Sequence, residues 1–263
     1  MKTFKILSLI FLFGLFASCE KDDVLKETTN GQVKASQPDI IEQIALAHNE
    51  GLEFIYNELE SKINDGSLDK SDRLQVCNFV YAKGIEFFQG HPLVYDYNAS
   101  VQAADEAYYY NYNYHPFYSF ESKMWTPLDD FDGTVSELEK IYLKNLEKRI
   151  YRARNYNNVI EQYNIIKSQV ISESRFTDDQ KLTMLVAIEI GIKSTEYWNE
   201  NYKAWNDLVG FDITKEITIL DIIDAVLADL RWARRLAIFG PGPALGGALL
   251  ASGISILMDI IED

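Results

Sequence analysis

The sequence predicts an all-α fold, a bundle of about six or seven helices that ends in a Gly/Ala-rich apolar helix. Three observations predict it. Apolar residues recur at spacings of three or four along most of the chain, as on one face of an amphipathic helix. No segment alternates with the two-residue period of a half-buried strand. Two Thr-x-x-Glu/Gln patterns, at Thr134 and Thr177, mark helix starts. The chain has 263 residues, 47% of them hydrophobic and 25% charged, which suits a core-forming protein.

The first helix opens at Ser36-Gln37-Pro38-Asp39, with Ser36 as cap and Pro38 in the first turn. Ile41, Ile44, His48, Leu52, Ile55, Leu59 and Ile63 form its stripe, and Asn64-Asp65-Gly66 ends it. A second helix starts around Asp69 or Ser71, turns Leu74, Cys77, Tyr81, Gly84 and Phe88 inward, and stops at Gly90-His91-Pro92. Residues 93–133 read as a Tyr/Asn-rich excursion, with a short helix over 101–110 and two prolines, Pro116 and Pro127. Thr134-x-x-Glu137 opens a helix over 135–154, and Val159, Tyr163, Ile166 and Val170 mark another over 158–173. Thr177-x-x-Gln180 opens a long helix over 178–208, striped by Met184, Ile188, Thr195, Trp198, Tyr202 and Trp205. Its Ala187, Gly191 and Ser194 let a neighbouring helix come close. Thr214 starts a further helix through Phe239, with Leu220, Ile223, Leu227 and Leu230 inward.

Leu236–Met258 contains no charged residue, the composition of a membrane span. Gly240-Pro241-Gly242-Pro243 interrupts it. The remaining Ala244–Met258 would reach only ~22 Å, against a hydrocarbon core of ~30 Å. Gly242, Gly246, Gly247, Ala248, Ala251 and Ser252 belong to small-xxx-small faces, which let helix backbones touch in a bilayer or in a protein core. The expectation is a central core helix; entry into a bilayer and an oligomer interface are the competing readings.

With 25 Lys+Arg against 40 Asp+Glu, the net charge of -15 argues against a nucleic-acid partner. The three histidines have no metal-ligand spacing, and neither metal nor cofactor is expected. Asp130-x-Asp132-Gly133-Thr134-x-Ser136-x-x-Glu139 follows a calcium loop, but Leu128 stands where its first carboxylate belongs. Gly240-x-Gly242-x-x-x-Gly246 lacks the strand and lysine of a phosphate loop. Nothing in the sequence pairs a Ser or Cys with a base, and no catalytic residue is assigned. His48 and Cys77 fall on inner stripes, so each is expected in the core, His48 bonded to another helix. Tyr108–Phe120 holds eight Tyr/Phe in 13 residues. Its Tyr109, Tyr110, Tyr112, Tyr114 and Tyr118 are candidate ligand-binding residues for a glycan or a surface protein, since Tyr joins a flat apolar face to a hydroxyl. The expectation is nevertheless a packed flap over the open side of the bundle, because rings left exposed would form an apolar patch; ligand binding is the competing reading.

The N-terminus gives an address. Lys2 and Lys5 precede the apolar run Ile6–Ala17, which ends in Phe16-Ala17-Ser18-Cys19. This resembles the lipobox of bacterial lipoproteins, with Phe16 where Leu or Val is usual. Glu20-Lys21-Asp22-Asp23 behind it resembles the surface-export signal of Bacteroidota lipoproteins. The resemblance implies a signal peptide over 1–18, a lipid on Cys19, Lys21, Asp22 and Asp23 as export signal, and the outer face of the outer membrane as location. Residues 19–37 then form a polar tether, and 38–263 a single all-α domain. Ala47-His48-Asn49-Glu50-Gly51-Leu52, Lys193-Ser194-x-x-x-Trp198 and the Gly/Ala/Ser-rich end also resemble helical Bacteroidota lipoproteins of unknown function. Three functions are carried forward. The first is a non-enzymatic surface module for binding or envelope structure. The second is a bacteriocin-like membrane-active effector using the C-terminal segment, and the third a carboxylate-dependent hydrolase.

Overall fold

The computed structural model describes residues 37–114, 135–210 and 219–262. Among them are eight α-helices and one 3-10 turn, and no strand. The helices are α1 (Gln37–Asn64), α2 (Arg73–Phe88), α3 (Tyr97–Tyr114), α4 (Glu137–Ile150), α5 (Tyr156–Ser172), α6 (Asp178–Val209), α7 (Ile219–Leu236) and α8 (Pro241–Glu262). The chain from Gln37 on forms one compact unit with its own apolar core.

Side-chain pairing sets the directions. Phe54 meets Phe87 and Glu58 meets Lys83, so α1 and α2 are antiparallel. Arg149 reaches Gln162 and Tyr142 reaches Glu173, so α4 and α5 are antiparallel. Lys167 pairs with Glu189, setting α5 against α6 in a second interhelical contact. At the centre stands α8, packed mainly on α3 and α7 and also touching α1, α2 and α6.

Local chemistry accounts for the boundaries. Asp72 caps α2 through Gln75 N–H at 3.0 Å, and Asn155 caps α5 through Asn158 N–H at 3.0 Å. The capping box at Thr177 and Gln180 opens α6 as expected. The box before α4 falls two residues later than Thr134 and Glu137. Ser136 and Glu139 form it, which turns the Glu139 carboxyl into the core, where Arg234 meets it. The inner face of α2 is also rotated from expectation: Val76, Cys77, Val80, Gly84 and Phe88 are buried, while Leu74 stands 51% exposed.

The Tyr/Asn-rich stretch is more regular than its composition suggests. With no Gly or Pro between Tyr97 and Tyr114, the helix opened at Asp96 continues to Tyr114. Residues 115–134 lie outside the described residues, and the calcium-loop positions through Thr134 with them.

The two prolines of the C-terminal segment do not break α8. Pro241 is its first residue and Pro243 lies in its first turn, where backbone N–H groups have no partner within the helix. Gly240, at φ 112°, makes the sharp entry. The helix therefore spans 22 residues, about 33 Å at 1.5 Å per residue, and the length argument against a membrane span fails. Among the described residues α8 is the one helix long and apolar enough to cross a membrane, and 94% of Pro241–Met258 is buried inside the protein.

Its small residues mark close approaches. A Cβ on Gly242 would fall 3.2 Å from Cα of Val94, and one on Gly246 would fall 2.9 Å from the Ser100 carbonyl oxygen. Both contacts are backbone and cannot yield, so these glycines let the chain around α3 lie against α8. Gly247 faces Leu236 and Trp232 of α7. Ala248, Ala251 and Ser252 are fully buried.

Candidate polar cluster and tyrosine face

The polar residues of the core converge on α7. Ile222, Val226, Asp229 and Ala233 share one buried stripe, and Ile223, Leu227, Leu230 and Arg234 another. A charged group thus replaces one apolar residue in each. Arg231 Nε donates to Glu147 at 2.8 Å and Arg234 donates to Glu139, so two buried ion pairs join α7 to α4. On a third side, the Tyr151 hydroxyl donates to Asp224 at 3.1 Å.

Asp229 is the deepest of these groups. His48 Nε2 of α1 lies 3.4 Å from its Oδ2, Ser194 of α6 donates to the same oxygen, and all three residues are 0% exposed. Ser252 of α8 accepts from the Trp198 indole N–H at 2.7 Å, and its hydroxyl helps to draw the Asp229 pKa down. On the other side of the imidazole, His48 Nδ1 lies 3.0 Å from Asn49 Oδ1, and Asn49 Nδ2 donates to the Lys193 carbonyl at 2.9 Å. One cluster ties α1, α6, α7 and α8 together. His48 lies in the core as expected; it meets another helix as an ion pair with Asp229, and its hydrogen bond goes to Asn49 of its own helix.

Burial alone would lower the His48 pKa, but the Asp229 charge and hydrogen bonding raise it above the ordinary histidine value. Burial raises Asp229 above the ordinary carboxylate value, against the pull of His48, Ser194 and Ser252. Both shifts have one meaning: the cluster holds a proton more readily than the unfolded chain does.

Ser, His and Asp in one cluster suggest nucleophilic catalysis, but the connections are wrong for it. A serine nucleophile needs its hydroxyl on the imidazole, whereas Ser194 donates to the carboxylate. The second imidazole nitrogen is turned to Asn49. None of the three touches solvent. As built, the arrangement holds four helices in register and cannot meet a substrate.

The other candidates are placed as follows. Cys19, Lys21, Asp22, Asp23 and Tyr118 lie outside the described residues. Tyr110, Tyr112 and Tyr114 belong to the last turns of α3, and Tyr109, one residue before them, is 61% exposed. Its neighbour Tyr108 packs edge-on against Tyr81 of α2, centroids 4.9 Å apart, and donates to Asn78 at 2.8 Å. Tyr81 in turn donates to Asp105. The phenols are thus fixed by bonds between α2 and α3, with exposed polar groups around them. Cys77 is buried, and desolvation pushes its thiol up to about 11, the state of an inert core cysteine. No group of three or more potential metal ligands occurs among the described residues.

The sequence reading assigns no role to Asp229, Arg231, Arg234 or Glu147, and it places Ser194 in a small-residue face and Glu139 in a calcium-loop pattern. The signal for three of them was present: a charged residue on an otherwise apolar stripe, as at Glu139 before Leu143, Leu146 and Ile150. Compared with known proteins, the chain matches no family model, no curated protein and no solved structure.

Proposed function

We propose that this chain is a lipid-anchored surface protein of the outer membrane, carried there by Cys19 and the Lys21-Asp22-Asp23 signal. Its helical body acts as a non-enzymatic binding module. The observation that carries the binding reading is the tyrosine face of α2 and α3. Tyr109 is exposed beside the fixed Tyr81–Tyr108 pair, with Asn78 and Asp105 at its edge. Rigid rings flanked by amides and carboxylates suit the alternating apolar and hydroxyl faces of a neutral sugar chain. The hydrolase reading is weakened because the buried acids Glu139, Glu147 and Asp229 are each tied to a neighbouring side chain.

Affinity electrophoresis through gels carrying mannan, soluble starch or neutral arabinogalactan tests the face. One of them retards the protein, and Tyr109→Ala removes the retardation. Stability changes by no more than about 0.5 kcal/mol, because Tyr109 stands on the surface. Equal migration of wild type and variant in all three gels would sink the reading.

The second reading, an effector that inserts α8 into a bilayer, draws on that helix's length and apolar composition. Against it stands the burial of α8 among five other helices and the tie from Ser252 to Trp198.

A further inference from the structure

The strongest local departure from the chain's acidity lies where α4 passes into α5. Lys148, Arg149, Arg152 and Arg154 fall within seven residues of a protein whose net charge is -15. They line one open groove of about 520 Å³, together with the amides of Asn145, Asn158 and Gln162, and no carboxylate lines it. Cations in the last turn of a helix are ordinarily explained by the helix dipole. That explanation reaches Lys148 and Arg149, which end α4. It does not reach Arg152 and Arg154, which lie beyond the helix, exposed, in the turn before α5.

The groove is also pre-arranged. Arg149 Nη1 donates to Gln162 Oε1 at 3.0 Å, and Arg149 Nε donates to Asn145 Oδ1 at 3.3 Å. The guanidinium is held between the two helices, and each amide keeps its NH2 donors for a ligand. Guanidinium groups bind carboxylate or sulfate through paired N–H donors, and amides bind hydroxyls. A free phosphate would use the cations and leave the amides idle. A glycan bearing uronate or sulfate groups uses both.

We propose that the α4–α5 groove binds an acidic glycan, with Arg152 and Arg154 taking its charged groups and Asn145, Asn158 and Gln162 its hydroxyls. The site is separate from the tyrosine face and stands whether or not that face binds sugar.

The test is isothermal titration of the body Gln37–Asp263, which carries its own core, with heparin oligosaccharides, oligogalacturonate and neutral dextran. At low salt at least one of the two acidic glycans binds, dextran does not bind through this groove, and added salt weakens the affinity. Joint Arg152→Gln and Arg154→Gln substitution lowers the affinity at least tenfold, about what the loss of one charge-assisted contact implies. Tyr109→Ala leaves it unchanged. Lys203→Gln, at an exposed cation paired with Asp207 on α6, serves as the charge control. Failure of both acidic glycans to bind would overturn the proposal. So would wild-type affinity in the double arginine variant, or an equal loss with Lys203→Gln, since binding would then follow net charge and not the groove.

Discussion

Truncation after Arg235 leaves a chain without a cooperative unfolding transition. The cut removes α8, and with it seven large, fully buried apolar side chains: Leu245, Leu249, Leu250, Ile254, Ile256, Leu257 and Met258. At about 1.5–3 kcal/mol for each such side chain, they contribute roughly 10–20 kcal/mol of gross burial. A whole domain is stable by only about 5–15 kcal/mol. The loss also opens the inner faces of α1, α2, α3 and α7, which meet α8. Thermal melting followed by circular dichroism reads the result: a broad, non-cooperative loss of helix in place of a sigmoid. Leu249→Ala is the graded form, expected to cost about 2–5 kcal/mol while leaving the fold intact. A truncated chain that melts sharply would show that α8 is an appendage to the bundle and not its centre.

Asp229→Ala is the most damaging single substitution expected outside α8. It removes the carboxylate that faces His48 and accepts from Ser194, leaving a buried imidazole without its counter-charge and a buried hydroxyl without its acceptor. Breaking a buried charge pair from one side costs about 3–5 kcal/mol. Urea denaturation measures it as a fall in midpoint at unchanged slope. The double variant Asp229→Asn with His48→Gln keeps hydrogen-bonding groups of similar size without charge, and recovers much of the loss. No recovery would mean that the charge pair itself, and not the volume and hydrogen bonds that the amides keep, sets the cost.

The same cluster fixes a pH dependence. His48 has a folded pKa above its ordinary value of about 6.5, so its stabilising contribution is complete below that pH. That contribution is lost as pH rises through the folded value. Asp229 is raised as well, so its contribution is likewise lost as pH rises through its own folded value. Both terms lower stability towards alkaline pH. His48→Gln removes the histidine decline and, by taking away the pull of His48 on Asp229, moves the remaining carboxylate decline to higher pH.

Most of the fold could be read from the periodicity. The bounds of α6 follow from its cap and stripe and the extent of α1 from its stripe, because those signals are local. Three points could not be read so. Composition predicts only a short helix over 101–110, yet nothing in Tyr97–Tyr114 prevents a longer one, and its Ala103, Ala104 and Ala107 pack into the core. The start of α4 offers two overlapping Ser/Thr-x-x-Glu patterns, and the box that forms uses Glu139, which also pairs with Arg234 nearly a hundred residues away. The prolines of α8 were read as a break because position within a helix decides whether a proline is harmful, and the helix start was unknown. The polar cluster was half visible. His48 on an apolar stripe is a local signal, whereas its pairing with Asp229 is a product of helix packing.

The central claim is that α8 is the core of a body that binds at its surface and never releases that helix into a membrane. Amide hydrogen exchange of the body Gln37–Asp263, with and without phosphatidylcholine vesicles, tests it most directly. The account predicts that the amides of Leu245–Met258 exchange among the slowest in the protein, only through global unfolding, and at the same rate with vesicles present. Exchange of α8 ahead of α1 and α6, or a change of its protection on adding vesicles, would contradict it and favour the membrane-inserting reading.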